Sequence, residues 1–330
     1  MKPYHVYAIG NALVDMEYEI SDAGLARFGI EKGVMTLIDE PRHDELTQLL
    51  ASHPHKRACG GSAANTVIAV AQLGGSAYYS CKVGNDEGGD FYLRDLTDCG
   101  VASAALDGPR DNGTTGKCLV MITPDAERTM NSFLGITGDL SEREINADAI
   151  KAAEYVYLEG YLVTGDSARA AAIETARLAR EAGARTALTL SDPNIVKFFR
   201  DGLLEMAAPE LDLLFCNEAE ARILAGTDDT AAAIAALQKL AGQFAMTRGA
   251  DGALVYNGNE LIEIAPHKVQ PLDSNGAGDL FAGAFLYGIT HGMDHAAAGA
   301  LASRLSAELV TRFGPRLPAG VARDLLAAQH

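Results

Sequence analysis

The sequence predicts an α/β protein in three layers, with helices on both faces of a mostly parallel central sheet and a small antiparallel β lid. Three observations carry that expectation. From Ser141 onward short apolar strands alternate with amphipathic helices, the pattern of parallel strands joined by crossovers. Between Thr114 and Leu134 no crossover helix intervenes, and two strand-like runs follow one another as a hairpin. Near the C-terminal end, Asp273-Ser274-Asn275-Gly276-Ala277-Gly278-Asp279 makes a turn of small residues that opens a long apolar helix. The expected division is a core of residues 1–11, 41–112 and 135–330, with residues 12–40 and 113–134 forming the lid.

Composition bounds the possibilities. At 330 residues the chain can bury one large core or two ordinary ones. Its 48% apolar and 22% charged content is typical of a soluble globular protein. The net charge of −17 argues against nucleic acid as a partner, because phosphate binding needs basic patches. Cys59, Cys81, Cys99, Cys118 and Cys216 are odd in number, scattered and without a C-x-x-C pair, which argues against a disulfide framework and a zinc site. His53-Pro54-His55 has no third ligand nearby and reads as loop surface. There is no N-terminal apolar segment and no apolar run long enough to span a membrane, so the expected location is the cytoplasm.

In chain order, residues 4–9 read as a short buried strand ending at Gly10-Asn11. Asn11 and Asp15 follow, where a parallel strand meets a crevice, although Asp15 also suits a solvated loop. Residues 14–20 alternate as a half-buried strand, 33–38 make another, and 44–51 a helix. Gly60-Gly61-Ser62-Ala63-Ala64-Asn65 opens a helix to about Leu73 that is apolar nearly all round and therefore buried. The glycine pair frees the backbone to hinge, and Asn65 in the first turn of a buried helix needs partners or a ligand. After a strand over 77–83 and a helix over 86–98 comes the hairpin, 117–123 and 128–134. Arg128 is either a surface charge of that hairpin or a phosphate ligand carried in by lid closure. Helices 141–152, 167–182 and 195–206 then alternate with strands 155–159, 186–190 and 211–215. Asn217 and Glu220 stand one turn apart at the next helix start and read as an N-cap with acids in the first turn. Thr247-Arg248-Gly249-Ala250-Asp251-Gly252 joins two strands as a turn.

The C-terminal turn carries the chemistry. A helix starting at Gly276 has unpartnered N–H groups in its first turn, and small residues let an anion approach them. Asp279 sits on that first turn, beside the anion. It can take a proton from a hydroxyl while the N–H groups stabilise a phosphoryl group in transfer. No G-x-x-x-x-G-K-[ST] run and no G-x-G-x-x-G between strand and helix occurs, which argues against a P-loop enzyme and a dinucleotide dehydrogenase.

Residues 273–279 resemble the Asp-Thr-x-Gly-Ala-Gly-Asp signature of the ribokinase-like (PfkB) family of sugar and nucleoside kinases, with Ser274 in place of threonine. Residues 60–65 resemble its Gly-Gly-x-x-x-Asn signature, residues 217–220 its Asn-x-x-Glu motif, and residues 247–252 its Thr-x-Gly-x-x-Gly. These four motifs follow the family order and spacing over nearly the whole chain. Within the family, the stretches at 10–15, 33–39, 115–118 with 122–123, 159–162, 190–191 and 215–220 are most similar to adenosine kinases. The resemblance implies a ribokinase-like fold and transfer of the γ-phosphate of ATP to the 5′-hydroxyl of adenosine. Another nucleoside or a free sugar is the alternative acceptor, and a nucleoside-binding regulatory protein the alternative without turnover. It implies Asp279 as catalytic base, with Gly276, Ala277 and Gly278 as the anion hole. It places Asn11, Asp15, Gly60, Gly61, Ser62 and Asn65 on the substrate; Arg128 is expected there from the hairpin, and Met35 and Tyr161 are expected at the base. Asn217, Glu220, Thr247, Gly249, Gly252 and Asn275 fall to the nucleotide, with Glu220 holding Mg2+ through water. A K+ site near Asp273 and residues 312–314 is implied as well, and a monomer or homodimer.

Overall fold

Residues 4–9 form a strand whose last four residues are buried, as expected for a parallel strand covered on both faces. The computed structural model describes residues 2–125 and 127–328; Ala126, read from sequence as part of the hairpin turn, lies outside them, as do Met1, Gln329 and His330. The strands in order are β1 (Tyr4–Ile9), β2 (Leu13–Glu19), β3 (Met35–Leu37), β4 (His55–Gly60), β5 (Ala77–Ser80), β6 (Gly116–Ile122), β7 (Arg128–Phe133), β8 (Ala153–Leu158), β9 (Arg185–Thr189), β10 (Leu211–Asn217), β11 (Ala241–Thr247), β12 (Ala253–Tyr256) and β13 (Leu261–Ile264). The helices are α1 (Asp22–Arg27), α2 (Glu40–Leu50), α3 (Ser62–Leu73), α4 (Glu87–Asp98), α5 (Ala147–Lys151), α6 (Asp166–Glu181), α7 (Pro193–Ala207), α8 (Glu218–Ala225), α9 (Thr230–Leu240), α10 (Ala277–Thr290), α11 (His295–Leu309) and α12 (Val321–Ala327).

The larger sheet runs β13-β12-β11-β10-β9-β8-β1-β5, parallel except at β12 and β13. One apolar layer beneath it comes from α3, α10 and α11, the other from α6, α7, α8 and α9. The chain steps from β1 outward to β5 and later returns to β8 on β1's other side. That reversal makes the carboxyl ends of β1 and β8 a crevice.

The smaller sheet runs β3-β7-β6-β2-β4. The expected antiparallel lid is in fact mixed. β6 and β7 pair antiparallel as the hairpin predicts, but β2 pairs parallel with β6, and β3 parallel with β7. The hairpin enters alongside β2, so its direction and not sequence adjacency sets the neighbouring pairings. Residues 55–60, expected in the core with His53-Pro54-His55 as loop, form β4, the edge strand antiparallel to β2. Its exposed His55, Lys56 and Arg57 hide the strand pattern, and charges of this kind protect edges from further pairing. Leu46 and Leu50 of α2 join Tyr18, Leu25 and Met121 in one apolar cluster, so α2 also packs on the smaller sheet.

The helix expected over 141–152 is broken. Ser141 caps a short turn over Glu142–Glu144, and Asn146 caps α5 by accepting from the Ala149 N–H. Two successive caps stop the first turn from continuing, because each side chain competes for the backbone.

Candidate active site

The C-terminal turn is fixed from below. Asp273, fully buried, accepts from the Asn275 N–H at 2.8 Å and from the Gly314 N–H at 2.9 Å. Gly276 has φ 74°, and a Cβ there would lie 2.2 Å from the Pro315 carbonyl oxygen, so only glycine fits. No side chain caps α10, which leaves its first turn open to an anion.

Asp279 is held on both oxygens. Ser62 Oγ donates at 2.7 Å to one, and Asn65 Nδ2 at 3.0 Å to the other. Burial raises its pKa, opposed by these two hydrogen bonds and by the charges of Arg128 and Arg316. Asn65, expected on the substrate's sugar, thus also holds the candidate base.

Asp15 is different. It is 6% exposed, and its carboxylate has no hydrogen-bond partner among the described residues. Burial, then the neighbouring Glu17, pushes its pKa up to about 8. A Cβ on Gly60 would meet its carboxylate at 2.2 Å, so that glycine makes room for Asp15 as well as loosening the chain. Across the smaller sheet, Asp15 lies in register with Cys118, Cys118 with Ser132, and Ser132 with Leu37. All four face one cleft of roughly 280 Å3, which Asn11, Gly61, Ser62, Asn65, Met35 and Tyr161 also line.

Arg128 faces that cleft, its Nη1 donating at 3.2 Å to Asn275 Oδ1. This tie joins β7 to the turn before α10. Asn275 Nδ2 is buried without a partner among the described residues, as a donor awaiting an acceptor would be. Asn217 and Glu220 form a reciprocal capping box at the start of α8. Glu220 accepts from the Asn217 N–H at 2.9 Å and from Asn217 Nδ2 at 2.8 Å, and donates its own N–H to Asn217 Oδ1 at 2.8 Å. The cap expected from sequence is present, and both residues also line the cleft. Burial pushes the Glu220 carboxyl to about 7. Two of its lone-pair positions remain free of protein donors. Thr247 lines the cleft, whereas Gly249 and Gly252 shape the turn behind it, where the Arg248 N–H donates to the Gly252 carbonyl.

Three cleft or support residues were given no role from sequence, although Glu159 and Ser191 fall in stretches similar to adenosine kinases. Glu159, 1% exposed at the end of β8, accepts from Asn11 Nδ2 at 3.0 Å and from the Ala63 N–H at 2.9 Å, tying β1, β8 and α3 together. Burial pushes it to about 7. Its place just past an apolar strand was the available signal. Ser191 lines the cleft with φ 71° and a buried, unpartnered hydroxyl, a strained backbone of the kind found at functional sites. Arg316 lies in a C-terminal loop and gave no signal.

Residues 35–320 match the pfkB family carbohydrate kinases. Adenosine kinase of Saccharomyces cerevisiae is 27% identical, over 94% of this chain and 96% of its own length. Fructokinase-1 of Oryza sativa subsp. japonica is 30% identical, over 70% of this chain and 73% of its own. Among solved structures, a probable sugar kinase from Rhizobium etli superposes with a TM-score of 0.94 at 33% identity, covering 100% of this chain and 99% of that one. The adenosine kinase from Sinorhizobium meliloti gives 0.93 at 34% identity, with 99% and 100% covered. Such coverage, around an aspartate at an uncapped helix start, shows that the chain belongs to the pfkB family of carbohydrate kinases and is a phosphotransferase with an alcohol acceptor.

Proposed function

We propose that the protein transfers the γ-phosphoryl group of ATP to the 5′-hydroxyl of adenosine, giving AMP and ADP. One observation carries this reading: a partnerless buried carboxyl, Asp15, shares a cleft with Asp279 under an apolar wall that includes Leu13, Leu37 and Met130. Once Asp15 gives up the proton that burial holds on it, its carboxylate accepts two hydrogen bonds, matching the adjacent 2′- and 3′-hydroxyls of a ribose. The wall then covers the base beside Met35 and Tyr161, and the 5′-hydroxyl reaches Asp279. Asp279, oriented by Ser62 and Asn65, takes the hydroxyl proton late in a loose transition state, where a weak base suffices. The first turn of α10, Asn275 and Arg128 neutralise the transferring group. Mg2+ screens the phosphates when bound, and the free lone pairs of Glu220 suit a hold through water. The adenosine kinase relatives of Saccharomyces cerevisiae and Sinorhizobium meliloti support the nucleoside.

A free sugar is the second reading, supported by the 30% identical rice fructokinase. An ATP-coupled screen over nucleosides, ribose and fructose tests the choice. Adenosine should give the highest kcat/KM, and 2′-deoxyadenosine a much lower one, since the missing hydroxyl leaves a buried charge unpaired at a cost of about 1–3 kcal/mol. A free sugar turned over faster than any nucleoside would overturn the assignment.

A further inference from the structure

The segment after α11 closes back on the active-site turn. Pro315 presses its carbonyl against Gly276, and Gln72 Nε2 donates to the Leu317 carbonyl at 2.9 Å. Between these two anchors Arg316 turns the other way, into the space between α3 and α4. Its Nε donates at 2.8 Å to Asn65 Oδ1, and its Nη1 pairs with Asp95 of α4. Only 13% of the side chain is exposed, and Nη2 is buried without a partner among the described residues. An unbroken chain therefore runs Asp95, Arg316, Asn65, Asp279.

The chemistry of that chain has one polarity. A guanidinium only donates, and an ionised carboxylate only accepts. Asn65 lies between them with one accepting and one donating end. With Arg316 on its oxygen, its amide must present NH2 to Asp279. Without Arg316 the amide can rotate and set its oxygen against the carboxylate, which repels it.

Resting on the kinase reading above, we infer that Arg316 is a positioning residue for the reaction, holding the Asn65 amide in the one orientation that keeps Asp279 aimed at the acceptor hydroxyl. It touches neither substrate nor reacting atoms. Its positive charge also offsets the burial of the carboxylate. The other groups facing Asp279 are Arg128 of β7, Asp15 of β2, Glu159 and Tyr161 just past β8, and Tyr157 within β8.

The test uses the full chain and whichever alcohol the wild type phosphorylates, so a mistaken acceptor does not affect it. Arg316→Gln should lower kcat roughly 10- to 100-fold, as a misplaced catalytic group does. KM for the acceptor should change little. The acid limb of the kcat profile should move to higher pH, because a cation near the carboxylate is gone. Adding Arg316→Gln to Asn65→Ala should cost nothing beyond Asn65→Ala alone. Arg316→Lys keeps the charge without the planar donor; it should lose kcat while the acid limb stays in place. A 13C-carboxyl titration of Asp279 in ligand-free protein reads the same charge effect without turnover, with the resonance assigned by Asp279→Asn. Additive losses in the double variant, an unmoved acid limb and an unmoved Asp279 titration in Arg316→Gln would overturn the inference. Wild-type kcat in Arg316→Lys would overturn it too, and that variant decides the matter if Arg316→Gln does not fold. Failure of the kinase reading shows separately, as a wild type that phosphorylates nothing.

Discussion

Asp279 and Asp15 share one cleft, yet their surroundings differ. Asp279 has two side-chain donors and two nearby cations that oppose the burial raising its pKa, and the donors hold it in position for a proton. Replacing it with asparagine keeps the shape and removes the base, so kcat should fall about 10²- to 10⁴-fold. Nucleoside affinity, measured by calorimetry, should stay near wild type. Unchanged turnover would reduce Asp279 to a helix-end acid. Asp15 has no such donors, and its pKa is pushed up to about 8. The unfolded chain ionises it at about 3.9, so the fold keeps the proton longer. The stability linked to that proton is whole below about pH 4 and is lost progressively up to about pH 8, at no more than about 1.4 kcal/mol per pH unit. Asp15→Asn escapes this loss. Its gain in Tm over the wild type should be small near pH 5, grow toward pH 8 and level off above. A gain equal at both ends would show Asp15 already ionised in the free protein.

At the scale of elements, the first turns of α8 and α10 do contrasting work. α10 begins at a glycine with no side-chain cap, and its N–H groups remain for an anion. α8 begins with a closed capping box that consumes two of its own orphan groups. Glu220 therefore has a structural duty whatever else it does. Glu220→Ala should cost about 1 kcal/mol of stability through the lost cap. It should also raise the Mg2+ concentration needed for half-maximal rate. A lower Tm with an unchanged Mg2+ dependence would leave Glu220 as a cap alone.

Across the whole molecule, the smaller sheet meets the core turn through the Arg128–Asn275 contact, while the Asp15 carboxylate lines the cleft with no partner among the described residues. A nucleoside filling that space would supply the missing contacts. Segments 12–40 and 114–134, together with β4, should then become protected from hydrogen exchange when adenosine binds. Equal protection with and without ligand would mean that the sheet is a fixed wall.

The alternation of strands and helices after Ser141 was legible because periodicity records which face of each element is buried. The start of α10, with Asp279 in its first turn, was legible because small residues before an acid constrain the local backbone and its charge. Sequence neighbours decide such features. Other features depend on residues that meet only in the folded chain. β4 looked like loop because its polar residues suit an exposed edge, and its strand identity comes from pairing with β2. The parallel pairing of β2 with β6 joins segments about a hundred residues apart, for which no local pattern exists. The sequence marked Asn65 as needing a partner, but its two partners, Asp279 and Arg316, lie over two hundred residues away. The raised pKa of Asp15 has the same origin, because burial is a property of everything packed around a carboxyl and not of the carboxyl's neighbours in the chain.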